Sequence, residues 1–208
     1  RKNMIESAYE KSAQQIKNCI DFFDRKFFNK IRLTSDYWIA GGCIRDYMSR
    51  SSISDVDFFF TKESDFEHVK SFFLADNAKV LFENENALKL ETMTGKVDLV
   101  KRFYENPKES ISSFDFTVCC AAIDNNKTFY CHDDFFIDLA AKSLQINKLL
   151  FPLSTLQRLQ KYNKKGFSAC NGTLLTIAKA LSTLDLTDKN QNVLEFYPDG
   201  SLRFVRID

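Results

Sequence analysis

Apolar positions recur every three to four residues from residue 3 to about 29, at Ile5, Ala8, Tyr9, Ile16, Ile20, Phe23 and Phe27. That period predicts an amphipathic helix packed on a sheet, its charged side solvated. The pattern then changes. A uniformly apolar run over 37–40 predicts a buried strand, Gly41-Gly42 ends it, and a short helix follows over roughly 43–50. Ser51 to Ser54 form a polar spacer before a second strand at 55–60. Phe66, Val69, Phe72 and Phe73 stripe a helix over 65–76, with Ser64 as its cap. Strands are predicted at 79–83, 87–92 and 96–101, separated by Asn84-Glu-Asn86 and Thr94-Gly95. Three strands joined by tight turns make an antiparallel or mixed meander.

Asn106-Pro107 opens a short helix or turn, 114–123 reads as a buried strand, and 128–131 hairpins back through Asp124-Asn125-Asn126. Pro152 opens a helix to about 165, and another covers roughly 173–184 beyond Gly172. Residues 192–207 read as a hairpin about Pro198-Asp-Gly-Ser201.

Composition narrows the class. The 208 residues are 44% hydrophobic, enough for a real core, and include 21 phenylalanines. A net charge of +1 gives no global electrostatic argument for nucleic acid. The charge is uneven: no acidic residue falls between Asp138 and Asp185, where Lys142, Lys148, Arg158, Lys161, Lys164, Lys165 and Lys179 lie. Six cysteines form no Cys-x-x-Cys pair and no zinc spacing, which suits reduced, buried thiols in a cytoplasmic protein. No apolar stretch approaches a membrane span.

Chemistry concentrates at 41–57. Asp55 and Asp57 lie two apart on a strand and so share a face. Carboxylates held that close repel unless a divalent cation sits between them. Gly41-Gly42 lets the backbone approach a ligand, and the helix start beyond it offers free N–H groups to an anion. A phosphate cradle beside a Mg2+ pair is the arrangement that phosphoryl or nucleotidyl transfer needs. The meander can bring Asp98 beside Asp55 and Asp57, so that three acids converge; the alternative is an exposed strand carboxylate. Arg45 can grip phosphate bidentately or pair with Asp46, and Asp46 can orient Arg45 or cap the helix. Arg158, Lys161 and Lys165 are spaced for one helical face, either a basic wall over a triphosphate or RNA or a solvated surface.

Gly41, Gly42, Arg45, Asp46, Asp55 and Asp57 fill the pattern Gly-Gly-x-x-Arg-Asp, spacer, Asp-x-Asp. This resembles the DNA polymerase beta nucleotidyltransferase superfamily, more narrowly the head domain of class II tRNA CCA-adding enzymes and bacterial poly(A) polymerases. Weaker resemblance continues through Asp115-Phe116-Thr117, through Asp138, Leu139, Lys142 and Leu144, and through Pro152, Arg158 and Lys161. Where the family carries two arginines and an asparagine in the Asp115 patch, this chain has Ser113, Phe114 and Cys119. The family's base-selecting motif is missing after Phe167.

The resemblance implies an α+β fold: a mixed, largely antiparallel sheet of about five strands flanked by helices, with a C-terminal helical segment and hairpin. It implies a head domain over 1–145 and a neck-like segment with hairpin over 146–208. It also implies transfer of NMP from an NTP such as ATP to an acceptor hydroxyl, in the first place an RNA 3′ end as in tRNA processing. Two Mg2+ ions, or Mn2+, would be held by Asp55, Asp57 and Asp98. Gly41, Gly42, Arg45, Asp46, Asp115, Arg158 and Lys161 would bind the nucleotide. A binding module of the same fold without chemistry, or a transferase acting on a protein or small-molecule hydroxyl, are the alternatives.

Overall fold

Tyr37–Ala40 forms β1, and all four side chains are buried because the strand lies inside the sheet, with both faces covered. Its polar neighbours in sequence are thereby forced to the ends of the strand, where the turn and the chemistry sit. The computed structural model describes residues 2–31, 36–184, 194–196 and 202–204. β2 (Asp55–Phe60) runs antiparallel to β1, and β5 (Gly95–Phe103) lies parallel to β2. β3 (Lys79–Glu83) and β4 (Ala87–Thr92) complete the meander, and the β6 (Ala121–Asp124)–β7 (Phe129–Cys131) hairpin adds to the other edge of β1. The sheet order is β3-β4-β5-β2-β1-β6-β7. Seven strands replace the five expected, because the β6–β7 hairpin extends the sheet through β1.

Between β2 and β5 the chain must cross over, and α3 (Glu63–Ala75) makes that crossing. It begins before the expected cap: Lys62 holds the N-cap position with no side-chain bond, and Ser64 lies inside the helix. α1 (Lys2–Phe23) continues into a π-helical turn, Asp24–Phe28. The expected strand over 114–123 is corrected as well. Its first part is a bend and a 3₁₀ turn, Thr117–Cys119, and only Ala121–Asp124 joins the sheet. The cause is local: Asp115 accepts from its neighbour's Phe116 N–H (3.0 Å), and the Thr117 N–H donates to the Gln145 carbonyl (3.0 Å) rather than to a strand. The paired segments β8 (Leu194–Phe196) and β9 (Leu202–Phe204) match the expected hairpin; its turn, 197–201, lies outside the described residues.

One face of the sheet is packed by α1 and α3, where Phe58 meets the rings of Phe27 and Phe73 at centroid distances of 5.2 and 5.5 Å. Truncating so enclosed a ring costs about 3–5 kcal/mol. The other face is covered only in part, by α4 (Pro107–Ser112), where Ile111 packs with Trp38 and Phe59 and the Trp38 indole donates to Ser110 Oγ (2.9 Å). After α5 (Phe135–Ala141), a third cluster joins Phe116, Cys119 and Leu144 to Leu159 and Tyr162 of α6 (Pro152–Asn163) and Ile177 of α7 (Asn171–Ser182). α6 is thereby fixed beside the uncovered part of the sheet.

Candidate active site

Register builds the site. Lys89, Asp98, Asp57 and Ala40 are consecutive partners on β4, β5, β2 and β1, so their side chains form one row on the less-covered face. Asp55, two residues back on β2, projects from the same face. β1 ends at Gly41, whose φ of +90° favours glycine; a Cβ there would lie 3.6 Å from Asp57 Oδ2 and 3.7 Å from the Phe114 ring. The turn is thus within touching distance of the carboxylates.

Like charges dominate there. Burial first, then the negative charges of Asp55 and Asp98, push Asp57 from its ordinary 3.8 up to about 7, against the opposing pull of Lys89 and Lys161. Ser54 Oγ donates to Asp55 Oδ1 at 2.6 Å, and Lys89 Nζ lies 3.2 Å from Asp98 Oδ2. Hard oxygen donors converging on one face suit a divalent cation, and Asp55 with Asp57 supply them. Among the described residues, no three acidic, cysteine or histidine side chains are grouped to hold a metal. Asp98 is the member that already carries a cation, the Lys89 ammonium.

The other half of the motif is closed. Arg45 lies on α2 (Gly42–Met48) and is 1% exposed. Its Nε and Nη2 donate to Asp46 Oδ1 (3.0 and 2.8 Å), its Nη1 donates to Cys119 Sγ (3.2 Å), and its guanidinium stacks 4.1 Å from the Tyr162 ring centroid. Asp46 Oδ2 also accepts from Lys165 Nζ. A guanidinium so enclosed ties α2 to α6, with its donors already taken by Asp46 and Cys119. The Gly42 Cα approaches it from the other side: a Cβ would lie 3.3 Å from Nη2.

The basic face of α6 is divided among three carboxylates. Arg158 Nη1 donates to Asp115 Oδ2 (2.8 Å), Lys161 acts on Asp57 through its charge, and Lys165, just past the helix, holds Asp46. Thr155 Oγ1 also donates to Asp115, at 3.3 Å. The structure therefore brings Gly41, Asp55, Asp57, Asp98 and Lys161 together, and sets Arg45 with Asp46, and Asp115 with Arg158, into neighbouring ion pairs. A groove of about 560 Å³ between α1 and α2, bounded in part by Asn18, Lys26, Tyr47 and Arg50, contains none of these residues.

Sequence reasoning missed Lys89, Cys119 as a partner of Arg45, and Tyr162 as its stacking surface. Lys89 had a signal: a tight β4–β5 turn that sets Thr92 opposite Gly95 puts Lys89 opposite Asp98.

This architecture, with carboxylates on parallel neighbours β2 and β5 beside a glycine turn, is a nucleotidyltransferase-like fold. Two solved structures are similar to it. A tRNA-processing enzyme in an apo form aligns at TM-score 0.60 and 20% identity, over 76% of this chain and 45% of its own. The Thermotoga maritima CCA-adding enzyme complexed with tRNA aligns at 0.58 and 16%, over 76% and 41%. The chain itself belongs to the Gabija anti-defense 2 family, whose model matches residues 14–142. A curated relative, "Gabija anti-defense 2" of Bacillus phage SPbetaL7, is 28% identical over 152 residues, 72% of this chain. The match spans 38% of that relative's length. No helix among the described residues is long and apolar enough to cross a membrane.

Proposed function

We propose that this chain performs nucleotidyl transfer, moving NMP from an NTP to an acceptor hydroxyl, in the first place an RNA 3′ end, in the service of counter-defence. The reading is carried by one observation: Asp57 and Asp98 are in-register partners on parallel strands, with Asp55 on the same face and the Gly41 turn against them. In this reading the acceptor oxygen bonds to the α-phosphorus, the bond from that phosphorus to the pyrophosphate oxygen breaks, and pyrophosphate leaves. Asp55 and Asp57 would hold Mg2+ or Mn2+, which would supply charge neutralisation at the phosphates and a lowered hydroxyl pKa. Asp98 would join the two aspartates or act on the acceptor hydroxyl as its proton acceptor. Lys161 adds positive charge felt by Asp57, and the Gly41 turn would let the triphosphate approach the carboxylates closely.

Arg45, Asp46, Asp115 and Arg158 take a different part. They hold α2, the 3₁₀ turn and α6 together around the nucleotide rather than gripping its phosphates. The division into a head over 1–145 and a neck-like segment over 146–208 follows, as does a cytoplasmic location.

The test incubates the protein with each labelled NTP, Mg2+ or Mn2+, and either cellular RNA or cellular protein. Label in RNA, lost in Asp57→Asn, supports the reading; label in protein moves the acceptor to a protein hydroxyl. A second reading, a nucleotide-binding module without chemistry, is favoured by the enclosed Arg45 and by Phe114 lying where an arginine stands in the resembling enzymes. Calorimetric NTP binding without pyrophosphate release would select it.

A further inference from the structure

The row of partners across the sheet contains a cation of its own. Lys89 stands directly opposite Asp98, and its ammonium lies 3.2 Å from Oδ2. The position is enforced by the backbone. The β4–β5 ladder is regular from Ala87↔Val100 to Thr92↔Gly95, so Lys89 and Asp98 cannot slip past each other without breaking the hairpin. The Asp98 side chain is 9% exposed and that of Lys89 28%, so water screens this pair less than a surface pair.

We propose that Lys89 is a built-in counter-cation that holds Asp98 in place of a second metal ion, so that this face takes a single divalent cation on Asp55 and Asp57. The inference rests on reading these carboxylates as a cation site. It accords with the grouping of the donors: Asp55 and Asp57 stand two apart on β2, Asp98 carries the Lys89 ammonium, and no three-donor cluster forms among the described residues. It also balances charge. Three carboxylates and the Lys89 ammonium leave two negative charges before Lys161 is counted, which is no more than one divalent ion neutralises. A second divalent ion would leave the half-buried row with an excess of positive charge before any nucleotide arrives, and would have to displace Lys89 from Asp98. Lys161, which also acts on Asp57, tilts the balance in the same direction.

Mn2+ alone, titrated without nucleotide and followed by electron paramagnetic resonance and calorimetry, counts the ions. One ion is expected on the unaltered protein, two on Lys89→Met, and one on Lys89→Arg, which keeps the charge. Lys89→Gln carries the same expectation as Lys89→Met should the latter fail to fold, as judged by circular dichroism. Two ions on the unaltered protein, or one on a folded Lys89→Met and Lys89→Gln, would overturn the role given to Lys89 while leaving the carboxylates as a cation site. No ion on any form removes the cation site itself, and the inference with it.

Discussion

Two clusters of charge grow from the single stretch 41–57, and they end in opposite states. Around Arg45 every charge has a partner: Asp46 on one edge, Cys119 on another, the Tyr162 ring on its face, and Lys165 closing Asp46. Around Asp57 negative charges outnumber positive ones, and its carboxyl is forced up to about 7. Paired, enclosed charge fixes structure, because removing one partner strands the other. Repelling, part-exposed charge waits for a cation. The difference sorts neighbouring residues of one motif into scaffold and chemistry, and mutation can test the sorting.

The largest effect belongs to the open cluster. Asp57→Asn removes a charge that the transfer reaction needs and is expected to lower the labelled-NTP transfer rate by roughly 10²–10³-fold or more. An unchanged rate would place the chemistry elsewhere. In the closed cluster, Arg45→Met is expected to cost about 3–5 kcal/mol, because Asp46 and the Cys119–Tyr162 contact lose their central cation. Denaturant unfolding measures it. If Arg45 were instead a phosphate ligand, the same variant would keep its stability and raise KM for the NTP.

Asp57→Asn also separates the clusters through stability, with the opposite sign. The folded pKa of Asp57, about 7, lies above its ordinary 3.8. Its contribution is therefore fully present below pH 3.8 and is lost as the pH rises through 7. Asparagine never ionises, so the variant should match the parent near pH 4 and exceed it above pH 7 by about 1–3 kcal/mol, partial solvation allowed for. Denaturant melts across pH 4–8 without divalent cation show the crossover. A parent that is the more stable form at pH 8 would mean that the carboxylates do not repel in the fold.

The comparison also explains what the sequence made legible. Apolar runs located β1, β2 and the meander because burial leaves few ways to place Tyr37–Ala40 or Val97–Val100. Asp55, Asp57 and Asp98 were readable as a row, since alternation along a strand and neighbourhood across it are fixed by geometry. Arg45 was readable only as a choice between a phosphate and Asp46, and the structure shows the pair with Asp46. Whether a guanidinium faces a ligand or a tyrosine depends on a residue over a hundred positions away, Tyr162, and on Cys119 replacing an asparagine of the resembling family. The segment 114–123 misled for a related reason. Its apolar run fits a strand, but Asp115 and the Gln145 carbonyl claim its backbone donors first.

The smallest effects sharpen the comparison most, because Lys161 and Lys165 stand four residues apart, one on α6 and the other just beyond its end, yet serve different clusters. Lys165 holds Asp46, and with its side chain 24% exposed Lys165→Ala should lower stability by about 0.5–1 kcal/mol. Transfer by the folded protein should be unchanged, since Lys165 is bound to Asp46 in the closed cluster. Lys161 is felt by Asp57, and Lys161→Ala should leave the melting temperature in place while slowing transfer several-fold. The two variants together ask whether α6 contributes its charges as one basic wall or one at a time. Equal losses of transfer from both would mean a wall, and the division between a closed and an open cluster would not extend to α6. Unequal losses, in the order given, would place the boundary between them within one turn of the helix.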